Sequence, residues 1–414
     1  MKKAEIKIAI ISIALLVDSQ AQAAGFALIE QSASGLGNAY AGAAAIAEDA
    51  STIFFNPAGM TYIDDSQAVG ALHLIKPNVA FNNRDVIVGD HGPNAGDLAF
   101  VPNFYWMTEI APAVKIGVGV NVPFGLKTAY DDKWLGRFQA DKSELKTINI
   151  NPSIAFKMSD RLSFGAGLSI MRAEATLTRS VNFGGAGVGD VEIKGDDWGY
   201  GFNLGTIYQL TADTRVGIAY RSKVKQKLEG QAKFNRPALV PNAGDAADGD
   251  VTATVNLPET FSASVFSRVN SKWDVMADVT FTRWSRFEEL SVMRDDHSIL
   301  TVTPHNWKNT MRYAIGANYH YSDTVKLRAG LAFDEEAIED AFRTARIPGN
   351  DRQWLSLGVS YRITPVSVLD IGYAHLFVTD ATINDDQLAI GNGRVRGEYK
   401  SRVDMLSLQY THNF

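Results

Sequence analysis

The chain has 414 residues, 46% of them hydrophobic, 10% aromatic and 21% charged, with 35 glycines and no cysteine. The missing thiols exclude disulfide frameworks, cysteine nucleophiles and Cys-ligated metal sites, and 40 basic against 46 acidic side chains exclude a strongly basic nucleic-acid binder. A mean hydropathy of −0.09 argues against a bundle of membrane helices, whose spans each need about 20 consecutive apolar residues.

Lys2, Lys3 and Lys7 precede an apolar run from Ile8 to Val17, and Ala21-Gln22-Ala23-Ala24-Gly25 offers small residues for a cut after Ala23. That order predicts a secretory signal peptide over residues 1–23 and an exported mature chain. Residues 24–64 follow without alternation. Gly35–Ala47 is rich in small side chains, and Glu48–Ser51 opens a second helical piece that Pro57 and Gly59 are expected to stop. Irregular backbone is tolerated at membrane depth only when protein or water surrounds it. The segment is therefore expected as a plug inside the remaining 65–414; a periplasmic tail is the alternative.

From Gln67 to Phe414 the sequence alternates with period two. Ile148, Ile150, Ile154 and Phe156 oppose Thr147, Asn149, Asn151 and Ser153; Leu406, Leu408 and Tyr410 oppose Ser407, Gln409 and Thr411. In the seventh strand Val216, Ile218, Tyr220, Val224 and Leu228 are expected on one face, and Arg221, Lys223, Lys225 and Lys227 on the inward one. Short links at residues 111–113, 159–161, 211–214, 270–272, 322–324 and 364–365 alternate with long polar loops. The result is fourteen strands. An even count with long loops on one rim and short turns on the other predicts an all-β fold, a closed 14-stranded antiparallel transmembrane barrel of the bacterial outer membrane. Closure is forced because an open sheet edge cannot be satisfied in hydrocarbon. Tyr105, Trp106, Trp273, Trp284, Trp354 and Tyr373 are expected in the aromatic girdles. A soluble β-sandwich also alternates, but it explains neither the loop asymmetry nor the apolar strand ending at Phe414.

The series Ala24-Gly25-Phe26, Ser34-Gly35-Leu36-Gly37-Asn38-Ala39-Tyr40-Ala41-Gly42, Ile46-Ala47-Glu48-Asp49-Ala50 and Asn56-Pro57-Ala58 resembles the N-terminal hatch of the FadL-type long-chain fatty acid transporters. The likeness continues in order through Phe124-Gly125-Leu126, Leu257-Pro258-Glu259, Trp284-Ser285-Arg286-Phe287 and Ala332-Phe333-Asp334. It implies a luminal hatch and passive uptake of hydrophobic molecules, without enzymatic chemistry or cofactor: capture by outer loops, an inner pocket, hatch movement and exit through the wall. By this resemblance Phe26 lies in the ligand pocket, Asn56, Pro57 and Ala58 form the hatch motif near the wall gap, and Arg179 holds a carboxylate.

A second basic residue of the family is unmatched, since Thr303 stands in its place; Lys308, His305 and Arg312 are the candidates to replace it. The resemblance also implies a lateral gap at Asn121, Pro123, Phe124 and Gly125, where proline cannot donate to the ladder and glycine favours a bulge; a strand end at the outer rim is the other reading. Tyr130, Trp134, Leu135 and Phe138 suggest an outer capture patch, with ordinary loop packing as the other reading.

The implied partners are a long-chain fatty acid or similar ligand, outer-membrane lipid and lipopolysaccharide, and the assembly machinery that reads the last strand; a plugged barrel needs no second subunit, so a monomer is expected. Three rivals stand beside this reading. One is an aromatic-hydrocarbon channel of the same fold, another a general porin. The third is a barrel lipase or protease, which the lack of H-E-x-x-H and G-x-S-x-G weakens.

Overall fold

The computed structural model describes residues 25–64, 66–84, 94–131 and 133–414. The signal peptide expected over residues 1–23 lies outside the described residues. The wall begins with β1 (Gln67–Asn83), β2 (Ala99–Ala111), β3 (Val114–Asn121 and Gly125–Ala129), β4 (Lys142–Lys157) and β5 (Leu162–Asn182). It continues with β6 (Val188–Gln209), β7 (Thr214–Arg221 and Val224–Asn235), β8 (Gly249–Leu257 and Thr260–Arg268) and β9 (Trp273–Thr282 and Glu289–Arg294). The last five are β10 (Ile299–Pro304 and Thr310–His320), β11 (Val325–Asp334), β12 (Arg352–Thr364), β13 (Ser367–Val378 and Ala381–Asp386) and β14 (Arg394–Asn413). Each strand pairs antiparallel with the next, and β14 returns to β1 from Asn413↔Gln67 to Gly397↔Asn83. The fourteen strands therefore close into a barrel, with the short turns on one rim and the long loops on the other.

The wall is inverted relative to a soluble protein. On β14, Leu406, Leu408 and Tyr410 are 46–50% exposed while Ser407 and Gln409 are buried; on β4, Ile148, Ile150 and Phe156 are exposed and Asn149 and Asn151 are buried. An exposed aliphatic row around a closed sheet is stable only in hydrocarbon. The expected girdle needs a correction: Trp273 and Tyr373 face outward, whereas Tyr105, Trp284 and Trp354 are buried inside. Alternation assigns an aromatic to a face only when the strand's phase is known.

Phase also changes within strands. Asn203 of β6 pairs with Arg221 and Asp196 with Glu229, so seven steps along β6 match eight along β7. The extra residue, at Ser222-Lys223, is a bulge that exchanges the two faces beyond it. Val224 and Leu228 consequently point inward and Lys223, Lys225 and Lys227 outward, the reverse of the sequence expectation. Arg221, before the bulge, keeps its inward position and donates to Phe54 O at 2.7 Å.

Residues 25–64 fill the lumen as three one-turn helices, α1 (Ala33–Leu36), α2 (Ala43–Ile46) and α3 (Thr52–Phe55), followed by a 3-10 turn Pro57–Tyr62. α3 does stop before Pro57, with Asn56 extended between them, and Pro57 then begins the 3-10 turn, where its missing donor costs nothing at a first position. The wall grips this hatch from many sides. Gln409 accepts from Ala33 N, Arg312 donates to Ala39 O, and Arg215 donates to Ala45 O and Ile46 O. Glu48 is held by Arg328 at 2.8 Å and by Lys326, and Arg328 also binds Asp370 at 2.7 Å. Paired wall glycines admit the backbone of the hatch: a Cβ at Gly330 would lie 2.2 Å from Asn38 O, and one at Gly165 2.3 Å from Ala58 N.

Candidate functional site: an apolar chamber behind the loops

Two connected cavities lie between the hatch and the long-loop rim. The outer one, about 560 Å³, is a mixed vestibule bounded by Arg179, Arg346, Phe342, Ile390 and Asn392. The inner one is a narrow slot of about 90 Å³ walled by Leu126, Leu145, Leu228, Val251, Leu290 and Val292. Leu177, Ile193, Leu290 and Arg346 line both. The bulge in β7 makes the inner slot apolar, because it turns Leu228 inward in place of its lysines.

Phe26 forms the floor of the slot. Its ring meets Trp284 at 4.8 Å, Trp307 at 5.5 Å, Phe287 at 5.6 Å and Phe124 at 6.1 Å. These edge and tilted contacts are the favoured geometries of aromatic packing. Gly25 precedes it with φ +64°, and a Cβ there would strike Trp284 and Trp307 at 2.6–2.7 Å. Its N–H donates to Glu336 Oε1 at 3.1 Å. His305 stacks on Phe287 at 4.4 Å.

Beside the floor the wall is incomplete. The ladder between β2 and β3 runs only from Phe104↔Val120 to Ala111↔Val114, leaving Ala99–Asn103 paired with β1 alone. β3 itself breaks at residues 122–124, where four steps match three on β4. The hatch supplies the missing strand: Leu28 N donates to Pro123 O at 2.8 Å, Gly125 N to Phe26 O at 2.9 Å, and Ala27 bridges Phe124. Gln31 closes Val122 O, and Asn103 donates to Glu30 O. Asn121 is fully buried and accepts from Asn149. The two N-terminal features named from sequence are therefore brought together: Phe26 and the Pro123 break share one backbone bridge.

Asn56, Pro57 and Ala58 lie elsewhere. Asn56 Nδ2 donates to Ala44 O at 2.7 Å and Thr206 O at 3.0 Å, and its side-chain oxygen caps Ala58 N. They sit against Gly165 and Gly205 of β5 and β6, where they lock the hatch to the wall.

Arg179 donates to Asn392 at 3.3 Å at the vestibule edge. Its neighbour Arg346 was not legible from sequence. Arg346 donates only to carbonyl and hydroxyl oxygens, of Gln139, Lys142, Ser143 and Thr178, and forms no ion pair among the described residues. Burial, helped by Arg179, pushes it down to about 10, so it remains charged at neutral pH. Lys308 has an exposed side chain and lines neither cavity; its backbone N–H donates to Ala337 O. Within the loop after β3, Tyr130 and Trp134 are buried and stacked at 3.9 Å against Phe81 and Tyr399. They pack the loop, leaving Leu135 and Phe138 half-buried.

A family model described as "Outer membrane protein transport protein (OMPP1/FadL/TodX)" matches residues 14–414. The chain belongs to this family. It is 31% identical over 396 residues to the long-chain fatty acid transport protein of Escherichia coli O6:H1, covering 87% of this chain and 88% of that one. The crystal structure of a Pseudomonas aeruginosa FadL homologue superimposes with a TM-score of 0.88 at 25% identity, over 94% of this chain and 100% of the other. The toluene transporter TodX of Pseudomonas putida shares the fold, with a TM-score of 0.72 at 16% identity over 94% and 99%. As a FadL-family barrel, the protein resides in the outer membrane and serves passive transport across it rather than catalysis.

Proposed function

We propose that this barrel takes up long-chain fatty acids or similar hydrophobic molecules and releases them sideways into the membrane. One observation carries the reading: an apolar slot capped by Arg346, which forms no ion pair among the described residues, and floored by Phe26, which is bridged to a broken wall strand. An alkyl chain gains roughly 0.8 kcal/mol per methylene removed from water, and a guanidinium fork suits a carboxylate. A ligand first meets the exposed Leu388 and Ile390 at the rim, together with Leu135 and Phe138. It then enters the vestibule between Arg179 and Arg346, and its tail descends to Phe26. Withdrawal of residues 25–31 opens the gap between β2 and β3. We further infer that signal-peptide removal precedes this, and that the protein works as a monomer among lipid and lipopolysaccharide after assembly through the strand ending at Phe414.

The aromatic floor favours a second reading, passage of aromatic hydrocarbons, which need no cation. Binding titrations of oleate and toluene to detergent-purified protein separate the two. The Arg346→Ala variant should weaken oleate about tenfold or more, the worth of a charged hydrogen-bond partner, and leave toluene unchanged. Tight toluene binding with no oleate binding would select the second reading; binding of neither would defeat both.

A further inference from the structure

Beneath the aromatic floor lies another chamber, of about 130 Å³, between the hatch and β7–β10. Leu28, Phe54, Phe124, Trp284 and Trp354 give it apolar walls, and it reaches the break in β3 at Pro123. Arg312 of β10 lines it and is only 6% exposed. One nitrogen, Nη2, donates to Ala39 O at 2.8 Å, and the guanidinium stands 5.2 Å from the centre of the Trp354 ring. Nε and Nη1 have no hydrogen-bond partner among the described residues. The nearby acids are engaged elsewhere: Asp278 accepts from Ser264 and Thr280, and Asp334 faces Arg352 at 4.0 Å. Neither Asp278 nor Glu30 forms an ion pair with Arg312 among the described residues.

A buried cation with two idle donors carries a desolvation penalty that an arriving anion relieves. The position also answers a difficulty in the transport route. A carboxylate leaving Arg346 must pass an aromatic partition, and an unaccompanied charge there is heavily disfavoured. We infer that the lower chamber is a second carboxylate station, in which Arg312 receives the headgroup of a ligand that moves tail-first from the upper slot toward the gap in β3. This deepens the transport reading and rests on it.

The test compares uptake of radiolabelled oleate and oleyl alcohol, which share a tail and differ in charge, by cells carrying the full-length protein. Arg312→Gln should slow oleate about tenfold or more, as loss of a charged hydrogen-bond partner does, and change oleyl alcohol less than twofold. Arg312→Lys should restore most oleate uptake, and equilibrium oleate binding in the upper slot should be unaltered in both variants. Equal loss of both ligands in Arg312→Gln would show that Arg312 merely anchors Ala39, and equal retention would show that it does nothing in passage; either overturns the inference. Wild-type protein that takes up neither ligand would instead sink the transport reading, and this inference with it.

Discussion

At Gly205 a single hydrogen atom decides whether the hatch can sit. A Cβ there would lie 1.9 Å from Asn56 Oδ1, and Gly217 stands equally close to Ala44 O. Gly205→Val should leave the barrel folded but lift the hatch, raising ion conductance in planar bilayers, whereas Gly70→Val, with nothing within 4 Å, should behave as wild type. Unaltered conductance in Gly205→Val would refute the fit. Two hatch carboxylates titrate in opposite senses. Burial alone would raise Glu48, but Arg328 and Lys326 override it and hold it well below the carboxylate range, so its contribution is present above its ordinary value and fades in strong acid. Burial pushes Glu30 from 4.5 up to about 7, against Arg352 and Arg312. Its contribution is therefore full below pH 4.5 and disappears as pH rises through 7, at most roughly 3 kcal/mol. Thermal unfolding at pH 5 and pH 8 should show that Glu30→Gln lacks part of the wild type's alkaline loss; identical pH profiles would count against it.

The strands show what alternation reveals and what it hides. Period-two patterning and the rhythm of short and long links were enough for the count, the closure and the inverted faces, since each follows from the hydrocarbon surroundings. The bulge at Ser222-Lys223 was invisible, because one added residue leaves composition and pattern length unchanged while exchanging the faces. The prediction here is direct: a cysteine at Lys225 should react with a bulky hydrophilic maleimide added to intact cells, and one at Val224 should not. Reversed labelling would restore the unbulged register. Pro123 and Phe26 were recognisable from local chemistry and resemblance, but their union through Leu28 N and Pro123 O depends on a fold that brings residues 95 apart into one bridge. Arg346 escaped notice for the same reason. Its loop gives no periodicity, and its significance comes from Arg179 and from a slot assembled out of the hatch and strands β3 to β10. Trp134 stood open between two readings, since an aromatic in a polar loop serves equally as a contact surface or as packing until Phe81 and Tyr399 are seen to cover it.

For the whole molecule, transport demands that a sealed wall open without unfolding. The seal at the β3 break is a separable piece, the extended Phe26–Gln31, whereas the rest of the hatch is tied down by Arg215, Arg328, Gln409 and the glycine contacts. Motion confined to the N-terminal residues would expose Pro123 O and Gly125 N to the passage while the remaining plug still blocks water. Because Ala27 and Phe124 are antiparallel bridge partners, cysteines at these two positions fall within disulfide reach, and the chain has no native cysteine to compete. Oxidised Ala27→Cys/Phe124→Cys protein should retain the barrel's resistance to SDS and its capture of oleate in the vestibule, yet cease uptake, and a reductant should restore it. Uptake that continues with the pair fully oxidised would mean that the ligand leaves by another route, past a hatch whose N-terminal residues never move.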